Sequence, residues 1–146
     1  MVLDLRSIGF REAQLVRNTL PNVFLAQGLA DRLPFALPEE GGGFDAVITV
    51  NVVDRVPDPE AAVVAMAALL KPGGVFFLAD PLDWWQQNGV LWERYGRGLE
   101  GVIDLVRGQG LEIELAFDGL LYREMHDARG SSTDWPVAVI LARRPG

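Results

Sequence analysis

Apolar runs of four to seven residues recur along the chain, and polar or glycine-rich breaks divide them. Phe44 to Val50 is the clearest. It is apolar almost throughout, which predicts a parallel strand covered on both faces rather than a half-exposed one. Val2-Leu3-Asp4-Leu5, Val23-Phe24-Leu25-Ala26, Val75 to Ala79, Leu111 to Phe117 and Val137 to Ala142 read as further strands. Helical spacing appears between them. Phe10, Ala13, Val16, Thr19 and Leu20 fall near one face of a helix that Pro21-Asn22 ends. Asp58-Pro59-Glu60 starts a second helix, with a capping acid, a proline in the first turn and a carboxylate at the positive end. That helix is expected to run to Leu70 and stop at Gly73-Gly74. A third runs from Leu99 to Val106, closed by Gly108 and Gly110. The segments 28–38 and 81–98 read as loop or weak helix, with Glu39 to Gly43 as a joint. The alternation of strand and helix predicts one α/β domain over residues 1–146. Its sheet is doubly wound and mostly parallel, with the last two strands antiparallel to each other.

The second helix departs from the pattern of a surface helix. None of the ten residues from Ala61 to Leu70 is charged. A helix apolar all round is a buried helix, and a two-layer domain of this size has little with which to bury the outer side. Val64, Ala65 and Ala68 are therefore expected to be covered by another polypeptide, in a homodimer or a heterodimer, or by an unexpected segment of this chain.

Composition narrows the setting. The chain is 49% hydrophobic and carries a net charge of −7, so it is globular, and it lacks the basic face that nucleic acid requires. It has no cysteine, which removes disulfides and thiolate metal sites. A single histidine leaves no basis for a transition-metal centre. No apolar run is long enough to span a bilayer, and the first residues do not form a signal peptide, so a cytoplasmic location is expected.

Phe44 to Asn51, followed by Leu69-Leu70-Lys71-Pro72-Gly73-Gly74 and the strand after it, resembles the middle of a class I S-adenosylmethionine-dependent methyltransferase, type-11-like. Two further stretches extend the likeness. Gln27 to Phe35 is similar to that family's Gly-Asp-Ala-x-x-Leu-Pro-Phe loop, with Leu29 where the family has its acid, and Asn51 to Pro59 is similar to its post-strand segment. The resemblance implies a Rossmann-like sheet preceded by a strand and a glycine-rich cofactor loop. Only 43 residues precede Phe44, and Arg6-Ser7-Ile8-Gly9-Phe10 stands where a loop with three glycines is expected. Val2 to Leu5 fits either the family's first or its second strand. The expectation is thus a sheet reduced by about one βα unit, with no S-adenosylmethionine bound. Such a chain would act as an accessory subunit in small-molecule tailoring, beside a protein partner. The alternative is an active methyltransferase on a small metabolite, with Asp4, Asp31 and Asn51 as cofactor contacts.

Ligands of open α/β sheets bind outside the carboxyl ends of the strands. That rim holds the candidate chemistry. Asp54 and His126 are the candidate acid–base groups, and Arg55, Asp80 and Trp84 the candidate substrate rim. Trp84, Trp85, Trp92 and Tyr95 together read as a lid or a core cover. If Asn51 and Asp80 lie at the same end of the sheet, the parallel arrangement holds.

Overall fold

The computed structural model describes residues 43–84 and 98–146. In chain order these form β1 (Phe44–Val50), a 3-10 turn (Val53–Arg55), α1 (Pro59–Ala68), β2 (Leu70–Asp80), α2 (Leu99–Gly108), β3 (Glu112–Met125) and β4 (Ser132–Arg143). The strands make one sheet in the order β1-β2-β4-β3. β1 and β2 are parallel, while β4 runs antiparallel to both of its neighbours. Three strands therefore point one way and the C-terminal strand is reversed, as the sequence pattern predicts. The expected strands at Val2–Leu5 and Val23–Ala26, and the helix at Phe10–Leu20, lie outside the described residues.

The two faces of the sheet differ. On one, Phe76 and Leu78 of β2 with Ile140 and Ala142 of β4 are wholly buried. They form the main core with Ala62, Val63, Met66 and Ala67 of α1 and Val102 and Val106 of α2. The opposite face carries a smaller cluster of Ala79, Val137 and Val139, with Phe77 and Trp135 against it. Neither helix contributes to that cluster. There Ile48 of β1 is 70% exposed. The expectation that β1 is covered on both faces is corrected accordingly: among the described residues it pairs only with β2.

Asp58 caps α1 as its sequence predicts, with its Oδ1 accepting from the Ala61 backbone N–H at 2.9 Å, and Pro59 opens the helix. The far end differs from expectation. The helix stops at Ala68, and β2 begins at Leu70, ahead of the glycines. Phe44 N–H donates to the Leu69 carbonyl at 2.7 Å and draws this backbone into the sheet at once. The ladder resumes only at Val75, since Phe44 faces Leu70 and Ala46 faces Val75, so Lys71 to Gly74 bulge outward. Gly73 sits at φ +76° in that bulge, a conformation that favours glycine. The orphan carbonyls at the end of α1 are met by a cation: Arg144 Nη1 donates to Leu70 O at 2.6 Å and to Ala67 O at 3.3 Å.

β3 and β4 are longer than the apolar runs suggest. The strand expected to end at Phe117 continues through Asp118-Gly119 to Met125. Asp-Gly reads as a turn, but here it makes a bulge. The register slips between Phe117 and Leu120, Gly119 takes φ +85°, and the Asp118 carboxylate accepts from the Gly119 N–H. Past the end of β2 the two strands continue as a free hairpin. Pro136 is tolerated there because β2, which ends at Asp80 opposite Ala138, no longer needs its missing N–H.

Candidate functional site

The site is built on the carboxyl ends of β1 and β2. Because the two strands are parallel, their exits meet: Asn51 N–H donates to Ala79 O at 2.9 Å. Asn51 turns the chain at φ +55°, a conformation that Asn accepts more readily than most residues. Its side chain is exposed on the rim.

Asp80 closes β2 on the helix-covered side and has no exposed surface. Its Oδ2 accepts from two successive backbone groups of the β1–α1 connection, Val52 N–H at 2.9 Å and Val53 N–H at 2.8 Å. Its Oδ1 accepts from Leu82 N–H at 3.2 Å. Leu82 is held at φ +53°, which is costly for a leucine and persists because this bond and the burial of its side chain fix it.

Asp54 lies beside it in the 3-10 turn, with a side chain that has no exposed surface. Its Oδ2 accepts from Asp83 N–H at 3.0 Å. Its Oδ1 lies 3.3 Å from Arg55 Nε, a charge contact without hydrogen-bond alignment. Arg55 Nη2 also lies 3.8 Å from Asp83 Oδ2. Burial is the main force on Asp54, and the charge of Asp80 adds to it. Together they push its carboxyl up from 3.8 to about 7, against the pull of Arg55. At about pH 7 the Asp54 carboxyl therefore holds its proton about half of the time.

The structure therefore brings Asp54, Arg55, Asp80 and Asn51 to one end of the sheet, as predicted. It does not bring His126 to them. From Ala138, opposite Asp80, the hairpin runs six residues further to Ser132, roughly 20 Å of strand. His126 stands beyond that, exposed, with its Nε2 2.7 Å from Thr133 Oγ1. Trp84, expected on the substrate rim, is 3% exposed and packs in the main core, because its indole offers the largest apolar surface on this segment. Trp85, Trp92 and Tyr95 lie outside the described residues, as do Asp4, Asp31 and the Arg6–Phe10 segment. Of the expected interface positions, Ala65 is 5% exposed and so already covered within this chain, whereas Val64 is 43% exposed and Ala68 is exposed too. One residue of α-helix is about 100° of rotation, which carries Ala65 from the exposed side of Val64 toward the chain's own interior.

The role of Asp80 as a backbone acceptor was not evident from sequence, although an acid ending an apolar strand before Pro81 is the available signal. Thr49 is a third buried polar group, 4% exposed, with no partner for its hydroxyl among the described residues. One exposed amide, Asn51, is the sole candidate cofactor contact within the described residues. By itself it makes no cradle, so no step of methyl transfer is derived from it. The described residues hold no group of acids and histidines able to bind a metal, and no described helix is long and apolar enough to cross a membrane.

Comparison with known proteins agrees with this architecture. A family model described as a methyltransferase domain matches residues 10–121. A 41-residue stretch is 51% identical to the ubiquinone biosynthesis O-methyltransferase of Xanthomonas axonopodis pv. citri, covering 28% of this chain and 17% of that protein. The chain thus matches about a sixth of the length of the curated relatives. A protein assigned as a methyltransferase from Bacillus halodurans C-125 superposes with a TM-score of 0.58 at 16% identity, over 84% of this chain and 78% of that one. The Haloferax volcanii protein solved in complex with the Trm112 methyltransferase activator gives 0.53 at 19% identity, over 82% and 60%. At such identities these likenesses establish the fold alone. With the family model covering most of the sequence, the chain belongs to the methyltransferase-domain family.

Proposed function

We propose that this chain is a methyltransferase-fold accessory subunit in small-molecule tailoring and carries out no S-adenosylmethionine chemistry of its own. The observation that carries this reading is the inward turn of the rim acids. Asp54 and Asp80, where a base would face a substrate, are buried and bonded to backbone groups of the rim itself. A general base must reach the proton that it removes, and neither carboxyl is open to do so. Arg6-Ser7-Ile8-Gly9-Phe10 supports the reading, since one glycine cannot give the backbone approach that a cofactor loop needs. The exposed Val64 and Ala68 on α1 offer a surface to a protein partner, whether a second copy or a full-length methyltransferase-like chain.

A second reading is favoured by one finding, the local 51% identity to an O-methyltransferase. On that reading the chain is an S-adenosylmethionine-dependent methyltransferase of a small metabolite, and Asn51 is a cofactor contact. Calorimetric titration with S-adenosylmethionine and S-adenosylhomocysteine separates the two. The accessory reading expects no saturable heat at micromolar ligand. A one-to-one isotherm would overturn it and establish the second.

A further inference from the structure

Asp118 and Gly119 form the β3 bulge. Phe117 pairs with Val139 and Leu120 with Val137, so neither bulge residue holds a position in the ladder. The exposed Asp118 side chain folds back on its own successor: Gly119 N–H donates to Asp118 Oδ1 at 2.7 Å. Other exposed aspartates differ. Asp58 accepts from Ala61 N–H, and Asp127 from the N–H groups of Arg129 and Ser131, so those carboxyls are drawn away from the nitrogen that follows them. Gly119 is also open to approach. It has no side chain to shield its nitrogen, and apart from its chain neighbours no heavy atom lies within 4 Å of where a Cβ would stand.

We propose that Asp118-Gly119 is a self-modification site, at which the folded bulge promotes conversion of Asp118 to isoaspartate. The Gly119 nitrogen attacks Asp118 Cγ. The N–Cγ bond forms, the Cγ–OH bond of the protonated carboxyl breaks, and the hydroxyl leaves with the amide proton as water. The product is a five-membered succinimide ring. Water then adds to one of its two carbonyls. Opening at Cγ restores aspartate. Opening at the main-chain carbon of Asp118 breaks its bond to the Gly119 nitrogen. The chain then runs through Cβ and Cγ, one atom longer, and the former main-chain carbonyl becomes a free carboxylate. Water is the only co-reactant, and the overall composition is unchanged. The observed contact holds nitrogen and carboxyl together before they react, which lowers the ordering cost of ring closure. No ladder pair between β3 and β4 has to break to admit the ring or the added atom. The reaction is independent of cofactor binding and of either functional reading.

The test stores the folded chain at neutral pH beside a synthetic peptide covering residues 115–123, with peptide mapping by mass spectrometry at intervals. Isoaspartate leaves the peptide mass unchanged, shifts its retention and abolishes cleavage at residue 118 by an aspartate-specific endoprotease. The succinimide is the same peptide lighter by one water. The folded wild type should accumulate the shifted peptide at a rate no lower than that of the free peptide. Asp118→Glu keeps the charge at an exposed position but requires a larger ring, so the shifted peptide should be lost. Asn88-Gly89, outside the described residues, falls in a different peptide and does not enter the reading. The proposal is overturned if the folded chain converts more slowly than the free peptide, since the bulge would then protect the site. It is equally overturned if the shifted species persists in Asp118→Glu.

Discussion

Two aspartates, Asp54 and Asp134, have arginine partners and opposite titration behaviour. Asp134 faces Arg123 in a two-pronged pair on the β3–β4 hairpin, at 2.6 and 2.7 Å, and both groups are solvated. The arginine hydrogen bonds hold the carboxyl of Asp134 below its ordinary value. Asp54 also has an arginine 3.3 Å away, yet its carboxyl is pushed up to about 7. Proximity to a cation therefore does not decide the outcome. Asp54 is out of water and next to a second acid, whereas Asp134 keeps its hydration and has an aligned donor for each oxygen. The same side chain is a fixed anion at one site and a proton store at the other.

The largest effect should come from removing the buried carboxyl to which the rim backbone is bonded. Asp80→Ala leaves the N–H groups of Val52, Val53 and Leu82 without their acceptor, which should cost about 3 kcal/mol or more in denaturant unfolding. A loss no greater than that of an exposed acid would remove the distinction between the two sites.

The pH dependence comes next. Asp54 binds its proton more tightly in the folded state than in the unfolded chain. The stability from this is fully present below about pH 4 and is lost as pH rises to about 7, by at most about 1.4 kcal/mol per pH unit. Asp134 has the opposite sign, since its depressed value contributes stability that is lost only as pH falls below its ordinary value. Urea midpoints measured from about pH 4.5 to about pH 8 should therefore decline in the wild type and stay flat in Asp54→Asn.

A third variant examines the exposed side of α1. Val64→Glu combined with Ala68→Lys should leave the fold intact, because both positions are exposed, while lowering the mass of any complex measured by light scattering. An unaltered assembly would place the interface elsewhere. The smallest effect is expected for Asp134→Asn, with no resolvable change in melting midpoint, because a solvated pair contributes little.

The sequence announced the fold more clearly than the site. Phe44 to Val50 has strand bounds that the structure reproduces, because a dense apolar run with glycines before it allows little else. Asp58-Pro59 marked the start of α1 because capping is a local interaction. Non-local pairing hid the rest. Asp118-Gly119 looks like the end of a strand until β4 lies alongside and turns it into a bulge. Trp84 fits a substrate rim or a core cover equally well until the core that receives it is assembled from α1, α2 and β2. Rim placement of Asp54, Arg55 and Asp80 followed from strand direction. Their inward orientation did not, since it depends on backbone N–H groups that no side-chain pattern displays.

The position of β4 has a consequence for how the domain comes together. It follows β3 in the chain but lies between β2 and β3 in the sheet. During synthesis β1 and β2 can pair early, yet β3 has no described neighbour until β4 exists. The main core, which needs Ile140 and Ala142, stays open for the same interval. Until then the apolar edges of β2 and β3 are exposed together, which makes the nascent chain a substrate for holding chaperones and prone to mispairing at these edges. A pause in translation before residue 132 should therefore increase aggregation more than a pause after residue 143.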